Sequence, residues 1–176
     1  MLHKRQELGP DYWRPNGLAK HTLVAPDGLI HCDDVVDIGA GLRPMQWYTP
    51  KSHLCVDAFV PYRDKLEEAG YSCWLGTAKA YLSTGVKHEA IYLLDVIEHM
   101  EKEEGQEVVK LALKAATVQI VVFTPKGFME QNEDAWGYGG HYWQTHRSGW
   151  TKDDFPDWRF QSHVNMFFAS YDVQPA

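Results

Sequence analysis

Five short apolar runs constrain this chain more than any other feature. They occupy residues 35–38, 54–59, 71–75, 90–96 and 118–123. Each is mostly continuous rather than alternating, the pattern of a strand covered on both faces. Helical segments lie between them. Residues 61–69 open on Pro61 and stop at Gly70, the asymmetry that helix ends prefer. Residues 101–116 form the clearest helix. Glu101, Glu103, Glu104 and Glu107 crowd its start, Lys110 and Lys114 lie toward its end, and Val108, Leu111, Ala112 and Ala115 share a face. Alternation of strand and helix predicts an α/β fold with a largely parallel sheet. Between the first two runs, Pro44 and Pro50 limit the connection to about two helical turns.

The bulk numbers bound the rest. A chain of 176 residues fits one domain with one core, and 44% hydrophobic with 23% charged residues predicts a globular protein. The net charge of −7, with cations scattered singly, opposes a broad electrostatic grip on nucleic acid or an anionic membrane. Cys32, Cys55 and Cys73 form no Cys-x-x-Cys pair and sit in or beside apolar runs, so they read as reduced core thiols of a cytoplasmic protein. The first residues lack the apolar stretch of a signal peptide, and no run is long enough to span a bilayer. One domain over 1–176 is expected: a cap at 1–33, a ligand-binding core at 34–125, and a substrate-side insert with a terminal strand region at 126–176. The tail from Asp157 to Val173 reads as one long strand or as a hairpin near Ser162 and His163.

In parallel α/β sheets, ligands bind beyond the carboxyl ends of the strands. The unusual residues fall there. The first run ends in Asp37-Ile38-Gly39-Ala40-Gly41, whose glycines let backbone approach a ligand. Pro44 stands where a dinucleotide site wants a third glycine, and no Gly-Lys-Ser/Thr supports a P-loop. Asp37 suits an ammonium group. Asp57 suits a pair of ribose hydroxyls. Gly76-Thr77-Ala78 after the third run suits an adenine pocket, and Asp95 lies in the fourth run.

On these residues the chain resembles the class I S-adenosylmethionine-dependent methyltransferases, above all the compact enzymes that act on small substrates. The family's Glu/Asp-x-Gly-x-Gly matches Asp37 to Gly41, and its ribose acid matches Asp57. Its Gly-Asp-Ala matches Gly76-Thr77-Ala78. Its fourth motif matches Asp95-Val96-Ile97-Glu98-His99, and its Thr-Pro-x-Gly matches Thr124-Pro125-Lys126-Gly127. The resemblance covers 33–128 well and 129–157 loosely. It implies a Rossmann-like, doubly wound, largely parallel sheet with an antiparallel edge strand, and S-adenosyl-L-methionine as cofactor. It assigns the cofactor to Asp37, Ile38, Gly39, Ala40, Gly41, Asp57, Ala58, Gly76, Thr77, Ala78, Asp95 and Val96. Two residues depart from the family pattern. Arg43 replaces a common glycine and reads either as a residue reaching the cofactor pocket or as a surface residue at a helix start. Thr77 replaces the usual Asp.

Methyl transfer from a sulfonium is an in-line displacement governed by positioning, and it needs a base only for a protonated acceptor such as an alcohol or phenol. The base candidates are His99, His146 and His141. His99 reads equally as a hydrogen-bonded residue of a strand-to-helix turn. Tyr138, Tyr142, Trp143 and Trp150 read as an aromatic wall over a substrate or as a small core under a loop. Thr151 and Asp154 have capping-box spacing, so a short turn is expected before Pro156. His141 and His146, five apart, with His99 and Glu98 elsewhere, offer ligand atoms for a metal, but no tight pattern such as His-Glu-x-x-His is present and no metal is expected. The chain lacks the Asn/Asp-Pro-Pro-Tyr and Pro-Cys motifs of DNA methyltransferases. Methyl transfer to a small-molecule acceptor is therefore the expected function, with no nucleic acid and no membrane as partner. The short cap and insert fit an open site or one closed by an oligomer or partner chain. A non-catalytic S-adenosylmethionine-binding or regulatory module is the alternative, and a nicotinamide-dependent reductase is opposed by Pro44.

Overall fold

The computed structural model describes residues 12–20 and 23–173; residues 1–11 and 21–22 of the expected cap lie outside them. Strands β1 (Asp34–Ile38), β2 (Ser52–Asp57), β3 (Ser72–Leu75), β4 (His88–Leu94) and β5 (Ala116–Pro125) are mutually parallel. β6 (Arg159–His163) and β7 (Met166–Asp172) form an antiparallel hairpin, with β7 laid against β5. The sheet order is β3-β2-β1-β4-β5-β7-β6. The order reverses between β1 and β4, which opens a crevice at their carboxyl ends.

Side chains of alternate residues go to opposite faces. Val36, Ile38, Val56, Ile91, Leu93, Ile120 and Val122 form one core with Val108 and Ala112 of helix α3 (Lys102–Ala115), and with Tyr81 and Leu82 of α2 (Ala78–Leu82). On the other face, Cys55 packs with Tyr62 and Leu66 of α1 (Val60–Glu68). Val35, Tyr92, Val121 and Phe168 there meet Met45 and Trp47. All three cysteines are free, and Cys32 and Cys55 are buried. Among the described residues, no helix is long and apolar enough to cross a membrane.

Several expected boundaries move, each for a local reason. The second strand stops at Asp57, not 59, because the Asp57 side chain takes the Phe59 amide (2.8 Å) and turns the chain. The fourth stops at Leu94, because Asp95 has φ 56° and cannot continue a strand. Segment 44–50 holds no helix. Besides its prolines, it gives the Met45 amide to Asp37 Oδ2 (2.5 Å). The segment after Gly76, in which no helix was expected, starts α2, which Thr77 caps by accepting from the Ala80 amide (3.2 Å). The Thr151 amide donates to Asp154 Oδ2 (2.8 Å), closing the expected short turn.

Candidate functional site

The glycine turn leaves β1 with Gly39 at φ 66° and Gly41 at φ 55°, conformations that L side chains resist. The Gly39 amide donates to the Val56 carbonyl (2.7 Å), tying the turn to the end of β2. A Cβ on Gly39 would stand 2.7 Å from Val96 Cγ2, so only glycine lets the two loops close together. Beside the turn lies a cleft of about 280 Å³ lined by Ile38, Gly39, Gly41, Asp57, Ala58, Thr77, Ala78, Asp95 and Val96, with His99, Tyr142 and Trp143 farther along its wall. Asp57 anchors its floor. One carboxylate oxygen accepts from the Gly41 amide (2.9 Å) and the other from the Phe59 amide. Burial outweighs these bonds and pushes the Asp57 carboxyl up to about 6.

A second cavity, of about 180 Å³, shares Gly39, Asp95, His99 and Gln144 with the first. Arg43, Glu98, His146, Met129 and Trp136 complete much of its wall. The left-handed backbone at Asp95 places its carboxylate against the Arg43 guanidinium in an ion pair. Glu98 is buried and accepts from Thr124 Oγ1 (2.9 Å). Burial, and then the Asp95 charge, raise its carboxyl well above the usual range. The rings of His99 and His146 meet edge to face at 4.8 Å. Burial lowers His99 to about 4 and lowers His146 as well, so both are neutral at pH 7. Arg147 braces this corner by donating to the carbonyls of His99 (2.6 Å), Thr145 and Tyr142.

No family model matches the chain, and no curated protein matches it. Solved structures do. An O-methyltransferase family protein from Burkholderia thailandensis superposes with TM-score 0.54 at 11% identity, over 80% of this chain and 51% of that one. This chain thus spans about half that protein's length. Magnesium protoporphyrin IX methyltransferase ChlM from Synechocystis PCC 6803, with bound SAM, gives 0.55 at 10% identity over 80% and 70%. A SAM-dependent methyltransferase from Archaeoglobus fulgidus gives 0.56 at 13% over 80% and 86%. The fold is that of the class I S-adenosylmethionine-dependent methyltransferases.

Within this methyltransferase fold, the residues expected at a cofactor separate into groups. Nine line the first cleft, as described. Ala40 lines the second cavity instead. Asp37 is 1% exposed and turns to the Met45 amide and to His53 (3.6 Å), on the face away from the cleft. Gly76 lines neither cavity; its amide donates to the Asp57 carbonyl (2.9 Å) and so steadies the strand end. His99 and His146 come together, whereas His141 is exposed at the start of α4 (His141–Gln144) and lines neither cavity. The aromatic residues split in the same way. Tyr142 and Trp143 stand exposed at the cleft mouth, Tyr138 packs near Tyr62, and Trp150 is buried in the core.

Two contacts have no clear trace in the sequence. Trp136 lies over Gly41, so closely that a Cβ there would collide with its ring. Asp134 pins the insert that carries Trp136: it accepts from Tyr62 Oη (2.6 Å) and from the amides of Trp136, Tyr138 and Gly140. The one available signal was an Asp heading a Gly- and aromatic-rich turn, the composition of a side-chain-capped loop.

Proposed function

We propose that the chain transfers a methyl group from S-adenosylmethionine to a small-molecule acceptor. The observation that carries this reading is the junction of the two cavities at Gly39, Asp95 and His99, beyond the carboxyl ends of β1 and β4. Asp57, Thr77 and Ala78 line the part of the first cleft that suits an adenosine, with the Asp57 carboxylate able to accept from vicinal hydroxyls. The bound cofactor supplies an electrophilic methyl carbon on a sulfonium: the acceptor's lone pair forms the new bond as the carbon–sulfur bond breaks, leaving a neutral thioether. The second cavity holds the acceptor in line. If the acceptor is a hydroxyl, its proton goes to a neutral histidine, His99 or His146. The small volume of the second cavity and the net charge of −7 support a small acceptor over nucleic acid. A cytoplasmic location belongs to the same reading.

Calorimetric titration with S-adenosylmethionine and S-adenosylhomocysteine tests it, together with release of S-adenosylhomocysteine across a panel of hydroxyl, amine and thiol acceptors. Binding with turnover is the expected result. Absence of binding at millimolar ligand removes the reading. Binding without turnover on any acceptor favours a non-catalytic module, for which the Arg43–Asp95 pair at the cavity junction is the structural motive.

A further inference from the structure

Glu98 poses a problem that the methyltransferase fold does not solve. Its carboxylate is buried, and no Lys or Arg among the described residues pairs with it. Asp95, its acidic neighbour, is already neutralised by Arg43. A buried carboxylate with no cation must either keep a proton or meet a positive charge from outside the chain.

Two imidazoles face it. One ligand atom from each of Glu98, His99 and His146 lies within 4.8 Å of the other two. His146 Nδ1 lies 2.6 Å from the Met129 carbonyl, and His99 Nδ1 lies 3.4 Å from the Thr145 carbonyl. A carbonyl oxygen only accepts, so Nδ1 of His146 carries the proton and its Nε2 keeps a lone pair; His99 Nδ1 faces a carbonyl in the same sense at longer range. Backbone carbonyls fix the tautomer of metal-bound histidines in this way, and Thr124 holds the Glu98 carboxylate as an outer partner would. The site is thus oriented at both levels before any ion enters.

We infer that Glu98, His99 and His146 bind a divalent first-row transition-metal ion on the wall of the second cavity. Two imidazole nitrogens and one carboxylate oxygen suit Mn²⁺, Fe²⁺, Co²⁺ or Zn²⁺ better than Mg²⁺ or Ca²⁺. Ligands about 2.1 Å from a tetrahedral ion stand about 3.4 Å apart, so the three side chains close inward by about an ångström on binding. Three protein ligands leave a coordination position open. All three residues line the second cavity, so that position borders it. On the methyl-transfer reading, on which this last step rests, the open position takes an acceptor oxygen, and the ion replaces a histidine as the group that holds it beside the methyl carbon.

The test is titration of tag-free, metal-stripped protein with Co²⁺ alone, followed by visible absorption and calorimetry, with no cofactor present. The expected result is one bound equivalent. Affinity should fall at least about tenfold in Glu98→Gln and in His146→Gln, each checked for native circular dichroism, with His99→Gln substituting for either variant that fails to fold. No bound Co²⁺ at a hundredfold excess, or equal affinity in the folded variants, overturns the site. S-adenosylhomocysteine titration of the same metal-stripped protein separates the two readings. Its binding without Co²⁺ binding removes the metal site alone. Co²⁺ binding without it leaves the metal site standing and removes the methyl-transfer reading.

Discussion

The Asp57 carboxylate joins the glycine turn, the end of β2 and the start of α1, and it borders the cleft where an adenosine would lie. Burial holds its pKa at about 6, above the 3.8 of an exposed Asp. The sign of the linkage follows. Between about pH 4 and 6 the folded protein keeps a proton that the unfolded chain has lost, so the Asp57 contribution to stability declines as pH rises through that window. Ligand binding runs the other way, because vicinal hydroxyls need the ionised acceptor. S-adenosylhomocysteine affinity should therefore weaken as pH falls below about 6, and Asp57→Ala should weaken it at least about tenfold at pH 7.5. Calorimetry between pH 5 and 8 checks both. A flat profile in the wild type, or full affinity in the variant, would place the ribose elsewhere.

Helix α3 owes its fit to one glycine. Gly105 faces the buried Trp150 ring, and a Cβ there would stand 2.5 Å from its Cζ2 atom. The ring is also held from above, where Lys102 Nζ sits 3.8 Å from its centroid, and by its Nε1–H bond to Ser148 Oγ (2.9 Å). Helix propensity favours alanine over glycine by about 1 kcal/mol. Here the crowding wins, and Gly105→Ala should lower stability by about 1–3 kcal/mol in urea unfolding. Stabilisation by that variant would show that the ring can move. The five parallel strands, α1 and α3 were legible in the sequence because each is a continuous apolar run or carries its own end signals. The hairpin was legible only as one of two readings of the tail, because its turn places Val164 at φ 48°, a residue that turn chemistry does not favour there, while the usual Gly or Asn-Gly signal is missing. Short α2 was hidden by a Gly-Thr start that reads as loop. The cleft was legible for the same reason as the strands, since its residues follow strand ends. Glu98, His99 and His146 were legible singly but not as a group, because Met129 and the insert fold His146 back from far along the chain.

For the molecule as a whole, a ligand that binds only the folded state adds stability by mass action. At a hundred times its dissociation constant, S-adenosylhomocysteine should add about 2.7 kcal/mol. For a chain of this size that raises the melting temperature by roughly 5–10 °C, whereas a nicotinamide dinucleotide should leave it unchanged. A shift with the dinucleotide alone would reverse the assignment of the cleft. The partition between the two cavities is made of Gly39, Asp95, His99 and Gln144, which belong to both. Any coupling between occupants of the two sides acts by the same factor in each direction. A single molecule that reached across this partition would fill both cavities while surrendering its translational freedom only once, so a covalently joined pair of ligands should bind far more tightly than either half.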